Sequence, residues 1–277
     1  MKLLSVEALS DILTADLDEL SILYCTPLSS SSPPPTALIP GTVVVDTNVL
    51  EHSPDWNLIC PSCLLDILAF NDISLNTMIV VYSDLDLMPA CRLLFSLHSL
   101  GFSSLHLLNG SLKMWTLAGN YLSNRFSFLR VPPFNTCSTL SFPHTCTFDD
   151  VCSFLMRNDT IIVDVRSSDE HHALSSGYCY IEEKGKIPLS VWGNSGTNAH
   201  KIESLVVNDS LVDFDLLKKI WLEVGLSPEK TIVFYCGTGW RASVAFVCAV
   251  MMGFEKVFLY DGGWLDWSSH MKQFSNI

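Results

Sequence analysis

Positive charge is scarce in this sequence, and the scarcity is concentrated at one end. No Lys or Arg lies between Leu3 and Cys91, whereas the same span holds twelve Asp and Glu. The whole chain of 277 residues carries a formal net charge of -13. That balance argues against a nucleic-acid partner, because neutralising phosphates requires a basic face. An anionic substrate has to be held by local features, since the overall field repels it. Long apolar runs are missing too, and none reaches the roughly 20 residues of a membrane span. The N-terminus lacks a signal-peptide pattern, because Glu7 and Asp11 come too early. With Asp16, Asp18 and Glu19 following and no Arg, it is also a poor mitochondrial presequence, so a cytoplasmic location is expected. No nucleotide loop, metal cluster or cofactor motif appears, and neither a cofactor nor a metal is expected.

Cysteine is not scarce. Ten cysteines at irregular spacing in a chain of this length read as reduced thiols, not as a disulfide framework. Cys60-Pro61-Ser62-Cys63 raises a redox or zinc site, but zinc needs two further ligands and no second pair is visible. Cys137 and Cys146 near His144 are equally weak, and both groupings read as incidental.

The hydrophobic content of 48% supports one large core or two ordinary ones. In order, Ser5–Leu13 reads as a helix, Leu20–Cys25 as a strand and Ser29–Pro35 as a flexible, proline-ended surface loop. Ile39–Asp46 follows as a strand, Pro61–Phe70 as a helix, Met78–Tyr82 as a buried strand and Met88–Leu100 as a helix ending at Gly101. Ser104–Leu108 and the segment to Trp115 close the unit. Strands alternating with helices and no long hairpin pattern predict a parallel α/β sheet. A second copy follows at an offset of about 150 residues. Tyr82 to Trp115 spans almost the same distance as Tyr235 to Trp267, Gly101 to Trp115 matches Gly253 to Trp267 in spacing, and Ile39-Pro40-Gly41 parallels Ile187-Pro188-Leu189. The expected organisation is a first domain over 1–130, a linker over 131–146 rich in proline and small polar residues, and a second domain over 147–277. In the second domain, Phe148–Arg157 is a helix capped by Thr147, and Ile161–Val165 is a strand.

The chemistry concentrates in Thr231–Ser243, T-I-V-F-Y-C-G-T-G-W-R-A-S. An apolar run, Thr231–Tyr235, predicts a buried strand that stops at Cys236. Gly237 and Gly239 permit a turn that side chains would obstruct, and a buried helix begins near Arg241. A cysteine between a strand end and a helix start meets converging backbone N–H groups, and the helix N-terminus together with Arg241 favours its thiolate. The first copy has Ser83 there, with Asp84, Leu85 and Asp86 in place of the glycine loop. No candidate base precedes Ser83, and two carboxylates repel an anionic donor, so the first domain reads as catalytically silent. Asp164 and Arg166 align with Tyr24 and Thr26.

This stretch resembles the active-site loop of the rhodaneses, or sulfurtransferases. Tyr260-Asp261-Gly262-Gly263-Trp264 through Trp267 is similar to that family's closing signature, and Val163-Asp164-Val165-Arg166-Ser167 to its D-x-R segment. Ser176-Gly177-Tyr178 and Ile187-Pro188 extend the likeness. The resemblance implies two tandem rhodanese-like domains, each a parallel sheet flanked by helices. It also implies transfer of a sulfane sulfur through a persulfide on Cys236, from a small anionic donor to a thiol or cyanide. The amides of Gly237, Thr238, Gly239 and Trp240 would cradle the persulfide. Arg241 and Arg166 would meet the donor, Lys186 would be a further cation at the cleft, and Asp164 would either assist or form a salt bridge with Arg166. Thiosulfate is the favoured donor, with mercaptopyruvate as the alternative. His171 and His172 read as solvated loop residues. One departure is Leu189, where the family has glycine. If a positive φ is needed there, Leu189 should distort the strand entry. Phosphatases on this fold place five residues between Cys and Arg, whereas four intervene here, and the smaller loop suits sulfur better than phosphate. A non-enzymatic binding or sulfur-carrier module is the reading of another class.

Overall fold

The structure, a computed structural model, describes residues 1–15, 19–29, 33, 35–52, 54–84, 86–133, 141–199 and 201–275. Asp16, Asp18, Leu85, Cys137, much of the Ser29–Pro35 loop and the middle of the 131–146 linker lie outside the described residues. The chain divides into two compact units, the first built mainly from Met1–His52 and Leu58–Pro143, the second mainly from His144–Val207 and Leu211–Ile277.

The first unit carries a six-stranded sheet in the spatial order Lys2–Leu4, Leu105–Leu108, Met78–Tyr82, Leu20–Thr26, Thr42–Asp46, Ser127–Phe128. Every pairing is parallel, as alternating strands and helices require. The helices are Val6–Thr14, Pro61–Phe70, Met88–Ser99 and Leu112–Leu117. Ser5 caps the first of them, its side chain accepting from the Ala8 amide at 3.1 Å. The expected strand from Ile39 begins only at Thr42, because Ile39–Gly41 forms a turn in which the Thr42 amide donates to Ile39 O (3.2 Å) and Gly41 sits at φ +80. The three-residue strand Lys2–Leu4 is too short to carry a period, and the sequence shows no sign of it.

The second unit carries a five-stranded, all-parallel sheet in the order Val191–Trp192, Thr160–Asp164, Thr231–Tyr235, Val257–Tyr260, Thr145–Cys146. Its helices are Phe148–Leu155, Ser168–His171, Phe214–Glu223, Trp240–Met251 and Gly263–Ser275. Thr147 and Asp150 form a capping box on the first of these. Thr145 and Cys146, read as the end of a linker, are an edge strand instead. They pair with Leu259 and Tyr260. Thr231–Tyr235 is buried throughout, and its neighbour Asp164 stands beside Tyr235 in register. In the first unit the same register sets Tyr24 beside Tyr82.

The two units repeat one hydrogen-bonding device. Tyr82 Oη accepts the Ile39 amide at 3.3 Å and lies 2.9 Å from Thr42 Oγ1. Tyr235 Oη accepts the Ile187 amide at 3.2 Å and lies 3.1 Å from Ser190 Oγ. The turn between Ile187 and Ser190 does need a positive φ, and Leu189 adopts it at +60 with its side chain 82% exposed. The expected distortion is absent. Val191–Trp192 still pairs with Val163 and Asp164. Among the described residues, eight cysteines are free thiols, but Cys60 is disulfide-bonded, which departs from a chain reduced throughout. Among the described residues, no helix is long and apolar enough to cross a membrane.

Candidate active site

Cys236 is buried immediately beyond the strand Thr231–Tyr235, at the C-terminal end of the sheet where open α/β folds place their ligands. The loop that follows is held from outside by its carbonyls. The Trp264 amide donates to Cys236 O at 2.7 Å and the Leu265 amide to Gly237 O at 3.1 Å. Among the described residues, the amides of Gly237, Thr238 and Gly239 have no backbone acceptor. Gly239, at φ +85, is the N-cap of the Trp240–Met251 helix and supplies no side-chain cap. The uncapped N-terminus of a twelve-residue helix therefore opens beside the thiol, with its partial positive charge.

The two loop glycines serve different ends. Gly239 provides the left-handed turn. Gly237 is needed for space, because a Cβ there would collide with the ring of Tyr178. The second glycine pair supports the loop from beneath. A Cβ on Gly263, at φ +56, would lie 2.5 Å from Cys236 O and 2.7 Å from Gly237 O. Only glycine lets the Gly263–Ser275 helix dock closely enough to hold those carbonyls.

Both arginines expected to meet a donor are buried and paired. Arg241 donates through Nη1 and Nη2 to Glu170 Oε2 and Oε1 at 2.8 and 2.9 Å. Its guanidinium lies 5.5 Å from the centroid of Tyr178. Glu170 also accepts from the Ser167 amide and hydroxyl at 3.1 and 2.8 Å, closing a capping box on the short Ser168–His171 helix. Burial opposes ionisation of Glu170, but the Arg241 and Ser167 bonds prevail and hold its carboxyl below the usual range. Arg166 makes the fork-to-fork pair with Asp164, at 2.9 and 2.8 Å, and donates again to Gly185 O at 2.7 Å. It lies 5.5 Å from the ring of Tyr235 and 4.9 Å from that of Trp264. Burial works against the Asp164 carboxylate as well, yet bonds from His171, Arg166 and Tyr235 bring it down to about 2. Each of the two arginines expected to meet an incoming anion thus has its charge balanced by a carboxylate of the chain. One donor on each, Arg166 Nη1 and Arg241 Nε, has no partner.

The reading of His171 is corrected. It is buried, with Nδ1 3.1 Å from Asp164 Oδ2 and Nε2 2.8 Å from Lys186 Nζ. An ammonium donates only, so Nε2 accepts and Nδ1 carries the proton toward Asp164. His172 is exposed, as expected. Lys186 is exposed and lies against His171. Gly185 approaches Trp264 so closely that a Cβ would lie 2.9 Å from its ring, and Trp264 Nε1 donates to Glu183 O at 2.8 Å.

Glu170 and Tyr180 escaped the sequence reading, and Tyr178 entered it only within the Ser176-Gly177-Tyr178 motif, with no role. Glu170 left one trace, the Ser167-Ser168-Asp169-Glu170 spacing of a capping box. Tyr180 left none. The Tyr178 and Tyr180 rings stack at 5.1 Å and 21°. In the first unit the corresponding loop is occupied by its own carboxylates. Asp86 Oδ1 accepts the Met88 amide at 2.8 Å, Asp84 Oδ1 accepts the Leu112 amide at 3.3 Å, and Ser83 Oγ donates to Asp86 O. Among the described residues, no group of three His, Cys, Asp or Glu side chains could hold a metal.

The loop of Cys236, with the Gly237–Gly239 amides around it, thus lies at the end of a parallel sheet. Residues 147–270 match the model of the rhodanese-like domain. The chain is 32% identical over 237 residues to the thiosulfate sulfurtransferase YnjE of Escherichia coli, a match covering 84% of this chain and 54% of that one. The crystal structure of YnjE superposes with a TM-score of 0.85 at 28% identity, covering 96% of this chain and 66% of the other. The 3-mercaptopyruvate sulfurtransferase of Rattus norvegicus is 25% identical over 83% of this chain and 76% of its own. EanB in complex with ergothioneine superposes with a TM-score of 0.86 at 28% identity, covering 96% of this chain and 68% of that one. The chain belongs to the rhodanese family, as two tandem α/β units. It spans about half the length of the YnjE sequence.

Proposed function

We propose that the chain is a sulfurtransferase that carries a sulfane sulfur as a persulfide on Cys236. The observation that carries this reading is the loop itself, with its carbonyls tied to Trp264 and Leu265 and the Gly237–Gly239 amides left for the sulfur. The Cys236 thiolate attacks the outer sulfur of thiosulfate, the S–S bond breaks, and sulfite leaves with the electron pair. The persulfide anion is stabilised by the amides of Gly237, Thr238, Gly239 and Trp240 and by the helix N-terminus. A thiol or cyanide then attacks the terminal sulfur and returns Cys236 to the thiolate.

Arg241 contributes by fixing the first helical turn, through Glu170, more than by adding net charge. Asp164 and Arg166 hold the neighbouring strand end in the same way. Lys186, exposed beside His171, is a cation that can attract a donor. The first unit is taken as silent, because its own aspartates fill the equivalent loop. The relatives' names divide between thiosulfate and mercaptopyruvate, and thiosulfate is favoured by the YnjE match at 32% identity. Relative kcat/KM for the two donors tests this choice, and a mercaptopyruvate preference above about tenfold would reverse it.

A second reading concerns the acceptor. EanB has been captured with ergothioneine and with hercynine. In this chain the stacked Tyr178–Tyr180 pair offers an aromatic face to a planar acceptor. Mixing the loaded protein with hercynine tests it. Loss of the Cys236 sulfur to hercynine supports this acceptor, and transfer only to cyanide or simple thiols rejects it.

A further inference from the structure

Cys236 is fully buried, yet a sulfur held on it has to meet an acceptor. Tyr178 stands over its loop, within the same unit. The Tyr178 ring packs so closely on Gly237, the residue after the nucleophile, that a Cβ there would collide with it. Three groups hold the ring in place. Tyr178 Oη donates to Ala199 O at 2.9 Å, the Tyr180 ring stacks on it at 5.1 Å, and the Arg241 guanidinium lies 5.5 Å from its centroid. Burial keeps the hydroxyl's pKa well above the ordinary phenol range, against the pull of Arg241 and with a push from Cys236. The group is therefore a donor across the neutral range, and a carbonyl is its matching acceptor.

We infer that Tyr178 is a gate over Cys236, latched shut by its hydroxyl on the Ala199 carbonyl, and that it selects acceptors by size. The selection of acceptors rests on the sulfurtransferase reading above, whereas the control of access to the thiol does not. A two-atom nucleophile such as cyanide needs only a small displacement of the ring to reach the buried sulfur. A thiol that carries a larger body needs the latch broken and the ring turned aside.

The local structure lets the side chain move while its backbone stays put. Tyr178 O accepts from Ser176 Oγ and from the Ile181 amide, both at 3.2 Å, and the Gly177 amide donates to Ser175 Oγ at 3.0 Å. Opening is therefore a rotation about the Cα–Cβ bond of Tyr178, not a displacement of the segment. The residue is half-buried, with its hydroxyl end the more enclosed, so solvent already meets part of the ring and offers it a place to turn. A neutral hydrogen bond is a latch of moderate strength. Removing it raises the open population by about threefold to tenfold.

The test uses the full chain and Tyr178→Phe, which keeps the ring and removes the latch. Alkylation of Cys236 by iodoacetamide and by the bulkier N-ethylmaleimide is mapped by peptide mass, each rate normalised to that of free glutathione. In the wild type the normalised rate should be lower for N-ethylmaleimide. Tyr178→Phe should raise that rate about threefold to tenfold, and should raise kcat/KM for glutathione relative to cyanide by a similar factor. Equal normalised rates for the two reagents in the wild type, or an N-ethylmaleimide rate unchanged in Tyr178→Phe, overturns the gate. Faster alkylation with an unchanged glutathione-to-cyanide ratio overturns the selection by size. Faster alkylation with no sulfur transfer to any acceptor supports the gate and overturns the sulfurtransferase reading instead. Where Tyr178→Phe fails to fold, the two reagents on the wild type decide alone.

Discussion

Glu170→Gln separates the role assigned to Arg241 from the simpler idea of a free guanidinium facing the donor. Glu170 and Arg241 are both almost wholly buried, and Glu170 accepts four hydrogen bonds, two from Arg241 and two from Ser167. Glutamine keeps the shape but replaces one carboxylate oxygen with an NH2, which turns a donor toward another donor. It also leaves the Arg241 charge buried without its counterion. Removing one partner of a buried pair costs about 3–5 kcal/mol. Urea unfolding of wild type and variant, at equal m-value, measures the loss. The same variant uncovers a positive charge beside Cys236, so KM for thiosulfate should fall in whatever fraction stays folded. A loss below about 1 kcal/mol with unchanged KM would refute the assignment, since it would mean that the pair is already solvated.

Three further predictions follow from the geometry. Gly263→Ala brings a Cβ within 2.5 Å of Cys236 O and should cost about 2–4 kcal/mol, through strain and two loop hydrogen bonds, with loss of sulfur loading; unchanged thermal stability contradicts it. Leu189→Gly should gain about 0.5 kcal/mol, because a positive φ favours glycine over an exposed leucine by slightly more than glycine's unfolded-state entropy costs; a lower urea midpoint contradicts it. Asp164 is depressed from 3.8 to about 2 in the folded state, so its stabilisation is present above its unfolded value and disappears as pH falls. That amounts to about 2 kcal/mol lost between roughly pH 5 and pH 2, and a wild-type-minus-Asp164→Asn difference that stays flat over this range would contradict it.

The parts of the fold legible in the sequence were those with a local signal. Thr231–Tyr235 is apolar throughout because both of its faces are covered, and Pro61–Phe70 begins at a proline suited to a first helical turn. Two- and three-residue strands such as Lys2–Leu4, Val191–Trp192 and Thr145–Cys146 carry no period, and sheet pairing alone defines them. Cys236 and its glycines were legible because a strand end, a turn and a helix start coincide within a few residues. The arginine partners were harder to read. Arg241 and Glu170 are 71 residues apart, and nothing near either one shows that a charge will be buried and matched. His171 looked like a loop residue because its partners, Asp164 and Lys186, come from a strand end and a separate turn. Leu189 shows the opposite case, a residue that breaks the family's local preference yet leaves the strand entry intact, at the cost of one left-handed leucine.

The central claim is that Cys236 carries the sulfur, and intact mass after brief mixing with thiosulfate tests it most directly. The account predicts a gain of about one sulfur atom, mapped to Cys236, reversed by cyanide and absent from a folded Cys236→Ser variant. No mass gain with either thiosulfate or mercaptopyruvate, or a gain that persists in Cys236→Ser, would contradict it.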